Sequence, residues 1–97
     1  MQEKLEKIID NYGIQKQMPV WCEELSELIK VICKWQRKYE ELEGDLTPQL
    51  MADFLDEIAD VTIVLEQSKS ILHLKDLEKE INYKINRQIN RIEKENK

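Results

Sequence analysis

The sequence holds few of the residues that interrupt helices or cross-link a chain. Its 97 residues include only two glycines, two prolines and two cysteines. Because glycine and proline mark most turns, their scarcity leaves room for three or four helices and argues against a turn-rich β-sheet. Cys22 and Cys33 would stand about 16 Å apart along one helix, too far to form a disulfide. We therefore expect two reduced, packed thiols, as in a cytoplasmic protein.

Long apolar runs and an excess of positive charge are also missing. No stretch of 18 apolar residues, signal-peptide pattern or lipidation motif is present, so a membrane protein is not expected. The net charge of −5 argues against a general nucleic-acid or membrane-surface binder. The one histidine, His73, should cap a helix or lie on the surface. No glutamate precedes a histidine by three residues, which disfavours a di-iron carboxylate bundle.

Apolar residues recur at spacings of three and four throughout, which predicts a single all-α domain over residues 1–97 with a core of about 13–93. Four helices are predicted. The first spans about 2–11, the second begins within 14–19 and ends at about 41, the third spans about 48–72 and the fourth about 74–95. Pro19 fits best in the first turn of the second helix, and Gly44 should close that helix. Thr47 and Pro48 form an N-cap followed by proline at the first helical position.

Carboxylates fall beside the apolar stripes of the second and third helices in the same phase. The predicted stripes are Trp21, Leu25, Leu28, Ile32 and Trp35, and Phe54, Ile58, Val61, Leu65 and Leu72. At about 100° per residue, Glu24 and Glu57 fall inside the stripe edges, with Glu27 and Asp60 one step further out. If the stripes pack together, four carboxylates converge, and oxygen ligands suit Mg²⁺ or Mn²⁺. The alternative is that all four are solvated flank residues.

The fourth predicted helix carries the opposite charge. Lys84, Gln88 and Arg91 form one row beside its isoleucine stripe, and Arg87 lies just outside that row. A row of donors facing a metal-loaded carboxylate cluster suits a polyphosphate, whose outer oxygens need cations. The alternative is a basic surface helix that nearby acids such as Glu80 balance.

Two acidic motifs together resemble a known family. The segment EELSE (23–27), followed about thirty residues later by EIAD (57–60), resembles the EExxE…ExxD signature of the MazG-like all-α nucleotide pyrophosphohydrolases. The segment YKINRQINR resembles the basic helix that follows in that superfamily, and the similarity runs from about residue 13 to residue 91. It departs from the common pattern at Ser26, often a glycine, and at Gln88, often an asparagine. The resemblance implies a four-helix bundle-like fold, completed by oligomerisation, that hydrolyses nucleoside triphosphates to monophosphate and pyrophosphate with Mg²⁺.

The resemblance also assigns roles by position. The implied metal ligands are Glu24, Glu27, Glu57 and Asp60. The implied substrate contacts are Lys84, Arg87, Gln88, Arg91, Trp35 and Gln17. Glu23 would serve the outer shell or the nucleophilic water, while Trp21 and Trp35 either stack on the base or pack in the core. One bundle of this size cannot enclose a nucleotide, so we expect a homodimer or homotetramer. The competing class is a non-enzymatic helical oligomerisation or adaptor module with solvated acidic faces.

Overall fold

Four α-helices make up the fold in a computed structural model that describes residues 2–96. They are α1 (Gln2–Tyr12), α2 (Ile14–Lys38), α3 (Pro48–Leu72) and α4 (Leu77–Glu95). No strand occurs between residues 2 and 96, so the predicted all-α class with four helices is confirmed. No helix in this range has the length and apolar content needed to cross a membrane. Cys22 and Cys33 are free thiols, and Cys22 is exposed rather than packed.

The ends of α3 follow the sequence prediction closely. The side chain of Thr47 caps the helix by accepting a hydrogen bond from the Leu50 backbone N–H at 3.1 Å. Pro48 occupies the first position, where its missing N–H has no helical partner to lose. His73 ends the helix in the left-handed region, with φ of 49°, and is exposed as expected. These local signals fix the bounds of the helix that carries two of the candidate ligands.

The ends of α2 differ from the prediction. The helix begins directly after Gly13, whose φ of 82° breaks it from α1. Pro19 therefore lies inside the helix rather than in its first turn. At the other end, α2 stops at Lys38 and not at Gly44. Gly44 instead closes the turn that follows, with φ of 82° and a backbone N–H donated to the Tyr39 carbonyl at 2.8 Å.

The helices α2 and α3 form an antiparallel pair that is fixed by a contact at each end. Trp21 Nε1 donates a hydrogen bond to Gln67 Oε1 at 2.7 Å. Further along α2, the ring of Trp35 meets Phe54 edge-on, with the ring centroids 5.7 Å apart. Since early residues of α2 meet late residues of α3, the two helices run in opposite directions. The short helix α1 packs on both of them and buries Leu5.

Most of the buried and half-buried residues of α2 and α3 follow alternating spacings of four and three, and we infer that they form the seam between the two helices. The seam residues, all buried or half-buried, are Gln17, Trp21, Glu24, Leu28, Val31 and Trp35 on α2, and Leu50, Phe54, Glu57, Val61, Val64, Ser68 and Ile71 on α3. This spacing keeps one face of each helix toward its neighbour over several turns. Glu24 and Glu57 thus lie in the seam itself, deeper than the stripe edge where the projection places them.

The predicted apolar stripes are therefore wrong for the residues that lie outside the seam. Leu25 and Ile32 on α2 are 42% and 44% exposed, and Ile58, Leu65 and Leu72 on α3 are 48%, 54% and 59% exposed. The helical projection gives every large apolar residue the same weight, so it combines the seam residues with the exposed apolar residues beside them. The centre of the predicted stripe consequently falls between the seam and these exposed residues.

The fourth helix stands apart from the other three. Within residues 2–96, α4 packs on none of the other helices. It begins at Leu77, three residues later than predicted. The radius of gyration is 17.3 Å, whereas a compact chain of this length has about 12.5 Å. One chain therefore leaves the apolar face of α4 without an intramolecular partner.

Candidate metal centre

Three carboxylates meet in the middle of the α2–α3 seam. Glu24, Glu57 and Asp60 each offer one oxygen, and these oxygens all lie within 4.8 Å of one another. We call these three residues the acid triad; all are half-buried. Glu24 lies about one turn after Trp21, and Asp60 about two turns before Gln67. The hydrogen bond that aligns α2 with α3 therefore also sets the register of the acid triad.

The acid triad is electrostatically unfavourable without a cation. Burial raises the pKa of Glu24, and a hydrogen bond with Asp60 raises it further, as do the charges of Asp60, Glu57 and Glu23. Burial likewise raises the pKa of Glu57, helped by the negative charges of Asp56, Asp60, Glu27 and Asp53. Both effects disfavour the ionised carboxylates, which are the forms that bind a metal.

The ligand atoms suit a hard divalent cation. Glu57 Oε2 is shielded from solvent and has no hydrogen-bond partner within residues 2–96. A shielded acceptor without a donor costs free energy, which a bound cation would offset. Over the same range, no salt bridge forms to Glu24, Glu57 or Asp60. Oxygen-only ligands suit Mg²⁺ or Mn²⁺ better than the softer transition metals.

The two remaining glutamates of the first motif lie outside the acid triad. Glu27 is half-buried and pairs with Lys30 at 3.5 Å. Its charge still raises the pKa of Glu57, so it lies near enough to be a candidate fourth ligand. Glu23 is exposed, and its charge raises the pKa of Glu24. The structure thus brings together three of the four predicted ligands and places Glu27 beside them.

The basic residues of α4 do not reach the acid triad within one chain. The residues concerned are Lys84, Arg87, Gln88 and Arg91. All are exposed, and Arg87 stands over the Tyr83 ring, 5.9 Å from its centroid. The predicted opposition of basic row and carboxylates does not form, because α4 packs on none of the helices that carry the acids.

The residues predicted to contact the base are engaged in packing. Trp35 lies against Tyr39 as well as Phe54, with ring centroids 5.7 Å apart in each pair. Its Nε1 is shielded and has no hydrogen-bond partner among residues 2–96. Gln17 is buried, with 9% of its surface exposed. Trp21 is bonded to Gln67, so both tryptophans take the packing role that was the alternative to base stacking.

One residue that sequence reasoning does not place at the site contributes to it. Gln67 is 3% exposed and holds Trp21 in position. The missed signal is its position directly beside the seam residue Ser68. Asp53 shares the flank of Glu57, which makes it a candidate further ligand or outer-shell acid from the sequence alone. It accepts a hydrogen bond from Gln49 Nε2 at 2.9 Å, and its charge raises the pKa of Glu57.

The acids around the triad share one side of the helix pair, which we call the acid face. Those that directly precede a seam residue are Glu23, Glu27, Asp53, Asp56 and Asp60. Because α2 and α3 are antiparallel, the same angular offset from the seam puts both sets on one side. Lys16, Lys30 and Lys34 also directly precede seam residues, so the acid face carries carboxylates around the acid triad and lysines along α2.

No protein-family model, curated protein or solved structure matches the chain. The chemistry of the acid triad is therefore inferred from its own residues and their geometry.

Proposed function

We propose that the protein is a Mg²⁺-dependent nucleoside triphosphate pyrophosphohydrolase, which converts an NTP or dNTP to its monophosphate and pyrophosphate. The observation that carries the proposal is the acid triad, in which three carboxylate oxygens from two helices lie within 4.8 Å. The unpartnered Glu57 Oε2 supports a cation at this place. The resemblance of EELSE and EIAD to the MazG-like signature supports the substrate class and the cleaved bond. Reduced thiols and free nucleotides both favour a cytoplasmic location.

The acid triad would hold the metal, with Glu27 as a fourth carboxylate ligand. When bound, Mg²⁺ (or Mn²⁺, which takes similar ligands) neutralises phosphate charge and lowers the pKa of a coordinated water. Glu23 is exposed beside Glu24, where its carboxylate can accept the proton that the attacking water loses. Water would add to the α-phosphorus, and the bond to the bridging oxygen of pyrophosphate would break. Such a displacement depends on positioning and charge stabilisation, so it needs no serine, cysteine or histidine nucleophile.

The outer phosphates would be held by the basic residues of α4. Lys84 and Arg91, with Arg87 and Gln88 beside them, offer donors that suit phosphate oxygens. This part of the proposal requires α4 to reach the acid face of its own chain or of a second copy, in a homodimer or homotetramer. Trp35 and Gln17 stay candidates for nucleotide contact, and each would have to leave its present packing to reach a base.

Turnover on a panel of NTPs and dNTPs with Mg²⁺ tests the proposal. Monophosphate and pyrophosphate would be measured for the wild type, Glu57→Gln and Asp60→Asn. Loss of a ligand should lower kcat/KM by about 100-fold or more, beyond the effect of most outer-shell changes. Glu66→Gln is the matched control, because it removes the same charge from α3 at a residue that pairs with Lys69. Turnover that survives both triad substitutions would refute the metal site.

A non-enzymatic adaptor or oligomerisation module is the second candidate. The exposed isoleucines of α4 favour this adaptor function, because uncovered apolar surfaces mark interaction sites. An adaptor would hydrolyse no nucleotide and would show no Mg²⁺-dependent rise in melting temperature. Hydrolysis of a nucleotide would decide for the enzyme, and a Mg²⁺-dependent rise in melting temperature would exclude an acidic face that binds no metal.

A further inference from the structure

The side of the helix pair opposite the acid face is apolar and exposed. Its residues, which we call the apolar face, are Leu25, Ile29, Ile32, Met51, Leu55, Ile58 and Leu65, between 42% and 72% exposed. Each directly follows a seam residue, so all seven are rotated from the seam in the same sense, away from the acids. The antiparallel arrangement then joins the rows of α2 and α3 into one surface. An apolar surface of this extent is unusual on a monomer.

The fourth helix presents a second uncovered apolar row. Ile81, Ile85, Ile89 and Ile92, which we call the isoleucine face, are between 46% and 52% exposed. Within residues 2–96, α4 packs on no other helix. An amphipathic helix of 19 residues is only marginally stable in water without a partner for its apolar side. The helix α4 would therefore be stabilised by a partner that packs on the isoleucine face.

The exposed area matches that of a chain taken from an obligate dimer. The solvent-accessible surface is 8306 Å², whereas a folded monomer of 11.6 kDa exposes about 5,800 Å². The excess is about 2,500 Å² per chain, or about 5,000 Å² for two chains, within the range that obligate homodimers bury. A second copy of the chain is thus an occupant of the right size.

We propose that two copies exchange α4 reciprocally, each laying its isoleucine face on the apolar face of the other. The helix α4 is about 28 Å long and the pair α2–α3 about 37 Å, so α4 fits along the groove between them. One two-fold axis relates both contacts, which closes the assembly as a dimer. This single arrangement covers both apolar surfaces. It also leaves the acid face open, because that face lies on the other side of the helix pair. In such a dimer the basic residues of α4 would therefore reach an acid face only on a further copy, as in a homotetramer.

Lysine substitutions on α4 test the contact by association alone, independently of any nucleotide turnover. Ile85→Lys/Ile89→Lys should convert a dimer to a monomer in light scattering coupled to size exclusion. Asn86→Lys/Asn90→Lys is the matched control, because it adds the same charges at the same spacing, rotated about 100° around α4 from the substituted isoleucines. The control should remain dimeric. Far-UV circular dichroism would establish that all variants retain their helices.

Mixing distinguishes reciprocal exchange from other dimers. Ile29→Asp/Leu55→Asp alters the two most exposed residues of the apolar face on α2 and α3 and should also be monomeric alone. When it is mixed with Ile85→Lys/Ile89→Lys, reciprocal exchange places both changes in one contact, lysines against aspartates, and leaves the other contact unaltered. The mixture should therefore form a dimer.

Contrary outcomes are equally clear. In a dimer that paired isoleucine face with isoleucine face and apolar face with apolar face, every contact in the mixture would contain the substitutions of one of the two proteins. Both proteins would then remain monomeric. That result, or a monomeric wild type at micromolar concentration, would overturn the exchange. A monomeric wild type that hydrolysed nucleotides would overturn the exchange and leave the proposed function standing.

Discussion

Trp21→Phe tests whether the hydrogen bond between α2 and α3 stabilises the pair that carries the acid triad. Trp21 Nε1 donates to Gln67 Oε1 at 2.7 Å, and Gln67 is 3% exposed. Phenylalanine would leave the buried Gln67 oxygen without this donor, at a cost of about 1–3 kcal/mol in the free energy of unfolding. In a domain of this length, each kcal/mol lowers the melting temperature by about 4–8 °C. We expect a decrease of roughly 4–24 °C.

A double-mutant cycle separates the hydrogen bond from the packing of the indole ring. Gln67→Met keeps a side chain of similar length and removes the acceptor. Melting of both single variants and of the double variant would be compared at one protein concentration, because association changes apparent stability. The coupling between the two positions should be about 1 kcal/mol. Effects that add to within about 0.5 kcal/mol would refute the stabilising role of this bond.

The remaining predictions concern charge and capping. The raised pKa values of Glu24 and Glu57 mean that the folded chain binds protons more tightly than the unfolded chain. Their contribution to stability is therefore present below the unfolded pKa and lost as pH rises through the folded pKa. In metal-free buffer, the melting temperature of Glu57→Gln relative to wild type should rise as the pH increases above 4.5, the ordinary pKa of a glutamate; a constant difference would contradict this. Thr47→Ala should cost about 1 kcal/mol through loss of the α3 cap, with the Mg²⁺ response in the same melts unchanged. Lys84→Ala/Arg91→Ala should raise KM for nucleotide and leave the Mg²⁺-dependent rise in melting temperature intact; an unchanged KM would remove α4 from substrate binding.

The helices were predictable because their signals are local. Spacings of three and four define an amphipathic helix wherever they occur, and Thr47 with Pro48 specifies the start of α3. The separation of α4 was not predictable in this way. Periodicity identifies an apolar face on a helix but says nothing about what covers it, and the four isoleucines of α4 fit a partner in the same chain or in another.

Three of the four carboxylates predicted to converge do lie together, whereas their position in the seam was not predicted. Matching phase on two helices was enough to bring Glu24, Glu57 and Asp60 together as candidate ligands. The seam was missed because the projection weights Leu25 and Ile58 like the seam residues beside them. The residues spaced by four and three form the seam. Many acids directly precede a seam residue and form the acid face, and many apolar residues directly follow one and form the apolar face. Reading the neighbours of each seam residue in this way separates the seam from the apolar face in the sequence itself.

Titration of Mg²⁺ against the nucleotide-free protein tests the metal site most directly. At ten times its dissociation constant, one bound ion adds about 1.4 kcal/mol to stability, a rise of about 6–11 °C in melting temperature. The wild type and Glu66→Gln should show this rise at ionic strength matched with NaCl, and Glu57→Gln should not. An equal rise in Glu57→Gln, or no rise in the wild type, would contradict a metal site at Glu24, Glu57 and Asp60.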